Sequence, residues 1–163
     1  MVKRRRSFEA GHRRKFLAVV DDTPECDRAV VYAALRAAHT AGGLVLLRVV
    51  DDADFRGFLG VEQTLRAEAR VEAEAMLEAV AARAMEIAAV VAERVVREGE
   101  IGEAIRRLID DDEDIAILVL AAATGADPGP LVGMLAGRSA GGFPVPVTIV
   151  PGHLSEAELT ELA

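Results

Sequence analysis

A chain of 163 residues is long enough for one well-buried core and short for two ordinary domains, and a formal net charge of -8 gives a body that repels nucleic-acid backbones. The charge is uneven, because Lys3, Arg4, Arg5, Arg6, Arg13, Arg14 and Lys15 face only Glu9 within the first 15 residues, so a basic arm precedes an acidic body. Cys26 is the single cysteine, which excludes an intrachain disulfide and a cysteine-cluster metal site and suits a reducing cytoplasm.

The arm, residues 1–14, is expected as a solvated terminus. Acidic lipid, nucleic acid and the protein's own acidic surface are its alternative attachments. No apolar stretch follows the basic start, and no run reaches the roughly 18 apolar residues of a membrane span, so no transmembrane segment is expected.

"KFLAVVDD" is a short valine-rich run ending in two acids, the pattern of a buried parallel strand that delivers its C-terminal end to solvent. A strand is predicted over 16–21. Thr23 is the expected cap of a first helix, with Pro24 in its first turn and Glu25 and Asp27 at its positive end. That helix extends to about residue 40 with a narrow, small-residue face of Ala29, Val30, Ala33, Ala34, Ala37 and Ala38, and "AGG" is expected to end it by supplying a left-handed glycine.

"LVLLRVV" predicts a second strand over 44–50, again followed by acids. Phe55, Phe58, Leu59 and Val61 form an apolar linker, read either as core or as interface. A long alanine- and glutamate-rich helix is predicted over 61–86. Residues 92–97 are read as an edge strand, with continued helix as the alternative. Ile101, Ala104, Ile105, Leu108 and Ile109 mark a third helix, and "DDDED" at 110–114 reads as a solvated loop.

"IAILVLA" predicts a fourth strand, apolar throughout and so covered on both faces. A glycine-rich loop follows, then a short helix near 131–140 and a last strand over 145–150, which Pro146 places at an edge or starts beyond that proline. The tail 151–163 predicts a short helix capped by Ser155, with Leu154, Leu159 and Leu162 as contacts. Strands joined through helices of these lengths run parallel with right-handed crossovers, so the fold class is α/β: one doubly wound domain with helices on both sheet faces. Its ligand rim is expected at the strands' C-terminal ends, where the acids after the first strand meet the glycines after the fourth.

"FLAVVDDTPECDRAVVYAALRAA", "LVLLRVV", "VVREGEIGEAIRRLI", "IAILVLAA" and "FPVPVTIV", in that order over roughly residues 15–150, resemble the universal stress protein family. The resemblance implies a five-stranded parallel sheet of order 3-2-1-4-5, a homodimer that pairs through the last strand, and a stress-related regulatory role. Some members bind ATP and others do not. In binding members the acid after the first strand approaches the nucleotide, matched here by Asp21, and the end of the second strand meets adenine, matched by Val49 or Val50.

The family's pattern after the fourth strand, G-x2-G-x9-G-[S/T], is broken here. Counting back from "PVPV" puts the final pair at Gly133 and Met134, and the two leading glycines fall on Ala123 and Leu120. Met134 has no hydroxyl to give a phosphate, Pro128 and Pro130 remove N–H donors, and Asp127 adds negative charge. The loop is read as a structural connection or as an altered anion site. In the second reading Gly125, Gly129, Gly133, Arg138 and Ser139 would serve as an anion nest for ATP or AMP.

Three functions are therefore carried forward: a regulatory or interaction protein without ordinary ATP binding, a weak adenine-nucleotide sensor, and a slow Mg-dependent ATP hydrolase using Asp21 or Asp22. A reactive thiol at Cys26 lacks a partner base, and His12, His39 and His153 lack metal-ligand spacing.

Overall fold

The structure is a computed structural model that describes residues 3–135, 137 and 140–163. Five strands, β1 (Lys15–Val19), β2 (Gly43–Val50), β3 (Ala92–Glu98), β4 (Ile115–Ala122) and β5 (Val147–Pro151), alternate with five helices, α1 (Cys26–His39), α2 (Glu62–Ala88), α3 (Ile101–Asp111), α4 (Pro130–Leu135) and α5 (Glu156–Leu162). The sheet order is β3-β2-β1-β4-β5, and every neighbouring pair is parallel. Residues 92–98 are therefore strand rather than continued helix, paired along their length with β2 from Leu44↔Ala92 to Val50↔Glu98.

Alternation along β1 divides the core into two layers. Phe16, Ala18 and Val20 face α1, α2 and α5, where they pack with Ala33, Ala34, Leu77, Ala84 and Leu159. Leu17 and Val19 face α3 and α4, against Ile105, Ile109, Leu131 and Leu135. The alanines of α1 let it lie close on the central strands: Ala33, Ala34 and Ala37 are fully buried. Burying such a face removes apolar area from water at roughly 25 cal/mol per Å2 and leaves no room for added methylenes.

Several local predictions are corrected. Thr23 does not cap α1, which starts at Cys26 with Glu25 at its N-cap position and no side-chain cap. Instead Thr23 donates through N–H and Oγ1 to Asp21 Oδ1, at 3.0 and 2.5 Å. The left-handed residue after α1 is Ala41, φ 52°, not a glycine. Gly42 is needed for space, because a Cβ there would stand 2.6 Å from the carbonyl oxygen of Arg14.

Of the linker residues only Phe55 is buried, while Phe58, Leu59 and Val61 are exposed. β5 starts beyond Pro146, and Ser155 does cap α5 through a full capping box with Glu158. Leu159 is buried beneath that helix, but Leu162 is exposed.

The arm is not free. Ser7 is buried, Arg6 N–H donates to the Glu113 carbonyl at 3.1 Å, and His12 Nδ1 meets Asp114 Oδ1 at 2.6 Å. The acidic loop expected to be solvated is thus the arm's seat, because β1 starts beside the loop that leads into β4 and brings the two charges together.

Candidate functional site

The C-terminal ends of β1 and β4 form one lip, as the topology requires. Asp21, Thr23, Glu25, Cys26, Gly129, Pro130 and Leu131 all line it. Between them the open space is only about 10 Å3, room for about one water and far too little for a nucleotide. The lip is closed by its own side chains.

The chemistry of those side chains opposes an anion. Asp21 turns its Oδ1 back onto Thr23, and Asp22 swings away to Arg48, with Arg48 Nη2 at 3.1 Å from Asp22 Oδ2. The two neighbouring carboxylates therefore diverge and do not offer a joint seat for a cation. Among the described residues, no group of three carboxylate, imidazole or thiol side chains converges as a metal site.

In the loop after β4, Gly129 N–H donates to Asp127 Oδ1 at 3.0 Å, Gly133 N–H donates to the Gly129 carbonyl at 2.9 Å, and Ala123 N–H donates to the Pro128 carbonyl at 3.0 Å. The Gly129 and Gly133 amides are thus engaged within this segment, and Pro128 and Pro130 have none. Gly129 adopts φ +96°, a conformation that favours glycine, and Glu25 Oε1 comes within 2.8 Å of the place a Cβ on it would take. Gly125 and Gly133 are exposed and do not line the lip. Arg138 and Ser139 lie outside the described residues. Met134 packs under the loop, its Sδ 3.2 Å from where a Cβ on Gly102 would stand, so it ties α4 to the start of α3.

Space does exist along α2. A cleft of about 290 Å3 at the end of β2 is lined by Asp22, Arg48, Val49, Val50, Asp54 and Glu72 among others. A second, of about 380 Å3, runs past Asp21, Asp22, Cys26, Asp27, Met76 and Arg83. Val49 and Val50 thus face a cleft shared with Asp22, separate from the glycine loop. Both walls are rich in carboxylates, and their guanidinium groups are already paired: Arg48 with Asp22, and Arg83 with Asp27 at 2.6 Å and Glu156 at 3.1 Å. The Arg83 hydrogen bonds hold the Asp27 carboxyl below the usual aspartate range, with Arg28 adding to the effect against the opposing pull of burial.

Cys26 sits at the start of α1 with Sγ 3.6 Å from the Val19 carbonyl. Burial pushes its thiol up to about 11, and this outweighs the hydrogen bond from the Asp21 backbone that favours the thiolate. His12 meets Asp114 and His39 Nδ1 lies 2.9 Å from the Ala163 carbonyl oxygen, so these two imidazoles belong to tertiary contacts far from the lip. Glu25 is the residue that sequence reasoning missed: read as a favourable charge for α1, it instead lies against Gly129, a placement no local pattern signals.

The fold is similar to that of the universal stress protein UspA from Lactobacillus plantarum, with TM-score 0.68 and 18% identity over 84% of this chain and 97% of that one. It is similar to a universal stress protein solved in complex with cAMP, TM-score 0.59 and 19% identity, covering 85% of this chain and 97% of that chain. A third similar structure is the universal stress protein from Archaeoglobus fulgidus in complex with dAMP, TM-score 0.59 and 14% identity, covering 92% and 99%. Identities this low speak to the fold alone. No curated protein matches the chain. The model of the universal stress protein family matches residues 12–151, and with the sheet order already described, the chain belongs to that family.

Proposed function

We propose that this chain is a regulatory or interaction protein of the universal stress type, a cytoplasmic homodimer whose glycine lip does not hold ATP. The observation that carries this reading is the engagement of the Gly129 amide by Asp127 together with the Glu25 carboxylate beside Gly129. A triphosphate there would meet two negative side chains and find the Gly129 and Gly133 donors already engaged. The free edge of β5 supports the dimer: Ile149 is exposed on it, beside an apolar cleft of about 520 Å3 that also includes Phe143, Val145 and Val147.

A weak adenylate site is the second reading, favoured by the cleft beside Val49 and Val50 and by the cAMP and dAMP complexes of two similar proteins. A Mg-dependent hydrolase draws no support from Asp21 and Asp22, whose carboxylates point to different partners. Native mass spectrometry of the purified protein separates the readings. The expected spectrum is that of a dimer carrying no adenylate. A retained adenylate at one per chain would replace the first reading with the second.

A further inference from the structure

We infer that the N-terminal arm is a salt-releasable strap that caps α3 and fastens the acidic loop before β4. The end of α3 has the wrong charge for its own dipole. Its last turn contains Asp110 and Asp111 and no basic residue, at the end where a helix presents its partial negative charge and its unbonded carbonyls. The arm supplies what that end lacks. Arg5 Nη1 donates to the carbonyls of Ile109, Asp112 and Ile115 at 2.6, 3.1 and 3.2 Å. Arg6 of the arm reaches Glu113 at 3.1 Å, and beside it Lys15, the first residue of β1, brings Nζ to 2.8 Å from Asp112 Oδ2.

Apolar packing adds little to these contacts. Phe8 is 85% exposed, and among the described residues of the arm the only buried side chain is the small Ser7. Arg14 does lie over the Phe16 ring at 5.2 Å, close to the point where the arm becomes strand. The exposed Arg6–Glu113 pair weakens when salt shortens the screening length, from roughly 10 Å at 0.1 M to 3 Å at 1 M, and the part-buried Arg5 bonds weaken less. The seat lies at the N-terminal ends of β1 and β4, opposite the glycine lip, so the strap acts on the other pole of the domain.

Limited trypsin digestion of the full chain, read by mass spectrometry at Arg4, Arg6, Arg13 and Arg14, tests this, since cleavage in this regime follows the population of the open arm. At low salt the wild type is expected to be cut at least about tenfold more slowly than Arg5→Gln, the factor that one charge-assisted hydrogen bond supplies. Salt near 1 M should narrow the difference, when each rate is normalised to an unstructured reference peptide under the same conditions. Glu113→Gln, which leaves Arg5 and its carbonyl partners in place, should give a smaller acceleration, and hydrogen exchange at 112–115 should rise in step with cleavage. Equal rates for wild type and Arg5→Gln at low salt would overturn the strap. Protection unchanged by salt would overturn its electrostatic basis.

Discussion

Glu25 and Gly129 meet across the lip, with Glu25 Oε1 2.8 Å from the point where a Cβ on residue 129 would lie. The helix that follows β1 thus projects a carboxylate onto the loop that follows β4. Substituting Gly129→Ala should destabilise the fold by about 1–2 kcal/mol, because φ +96° is strained for any residue with a Cβ. Glu25 can swing aside, so Glu25→Ala should recover only the contact part of that loss. Urea unfolding midpoints of the two single variants and the double variant measure both parts.

A larger loss is expected at Gly152, where a Cβ would come within 2.3 Å of the Ala122 carbonyl oxygen. Neither backbone segment has a flexible end to move, since Gly152 N–H donates to that same oxygen at 2.8 Å. Gly152→Ala should destabilise by about 2–3 kcal/mol, the upper part of the range for overpacking, and a denaturation midpoint equal to that of the wild type would contradict this close approach.

Cys26 should behave as a quiet thiol. With its value pushed up to about 11 from an ordinary 9.0, it carries about 100-fold less thiolate at pH 8 than a free cysteine, and iodoacetamide alkylation of the folded protein should slow by about that factor. The same shift links to stability. Burial favours the protonated form in the folded state, so the stabilising contribution is complete below pH 9 and declines as pH rises towards 11. Cys26→Ser should lack this part of the alkaline destabilisation, seen as a flatter dependence of the urea midpoint between pH 9 and 11.

Asp27 receives hydrogen bonds from Arg83 on α2 and from its neighbour Arg28, and Arg83 continues to Glu156 on α5. Both partners of the main pair are more than a third exposed, so Arg83→Ala should cost about 1 kcal/mol or less. The lowered carboxyl makes that contribution present above the ordinary aspartate value of 3.8 and lost as pH falls below it. Acid unfolding followed by circular dichroism should therefore differ least between variant and wild type at the acid end of the transition.

Ile149 projects from the free edge strand and is 46% exposed. Placing a charge there blocks edge pairing and leaves the β4 contact of the same strand in place. In sedimentation velocity at micromolar protein, the wild type should run as a dimer and Ile149→Lys as a monomer. A wild type that runs as a monomer would contradict the proposed assembly.

The layered fold was legible because its signals are local. Apolar runs ending in acids marked β1 and β2, helical spacing in Ile101–Ile109 marked α3, and Ser155 announced the cap of α5. The details that escaped depend on distant partners. Nothing near Thr23 says that it will serve Asp21 instead of the helix, and nothing near Gly42 says that the Arg14 carbonyl will press against it. The departures at Met134, Pro128 and Pro130 were readable as missing donors, whereas the engagement of the Gly129 and Gly133 amides by Asp127 and the Gly129 carbonyl needed coordinates. Charge counting identified an arm and an acidic loop but not their meeting, which follows from the adjacency of β1 and β4.

The closed lip is tested most directly by isothermal titration of the purified, nucleotide-free protein with ATP and with AMP up to millimolar concentration, with and without Mg2+. No saturable heat is expected for ATP under either condition. Stoichiometric ATP binding that is lost in Gly129→Val but retained in Val49→Ala would contradict the closed lip, because it would put the triphosphate on the loop that Glu25 and Asp127 occupy.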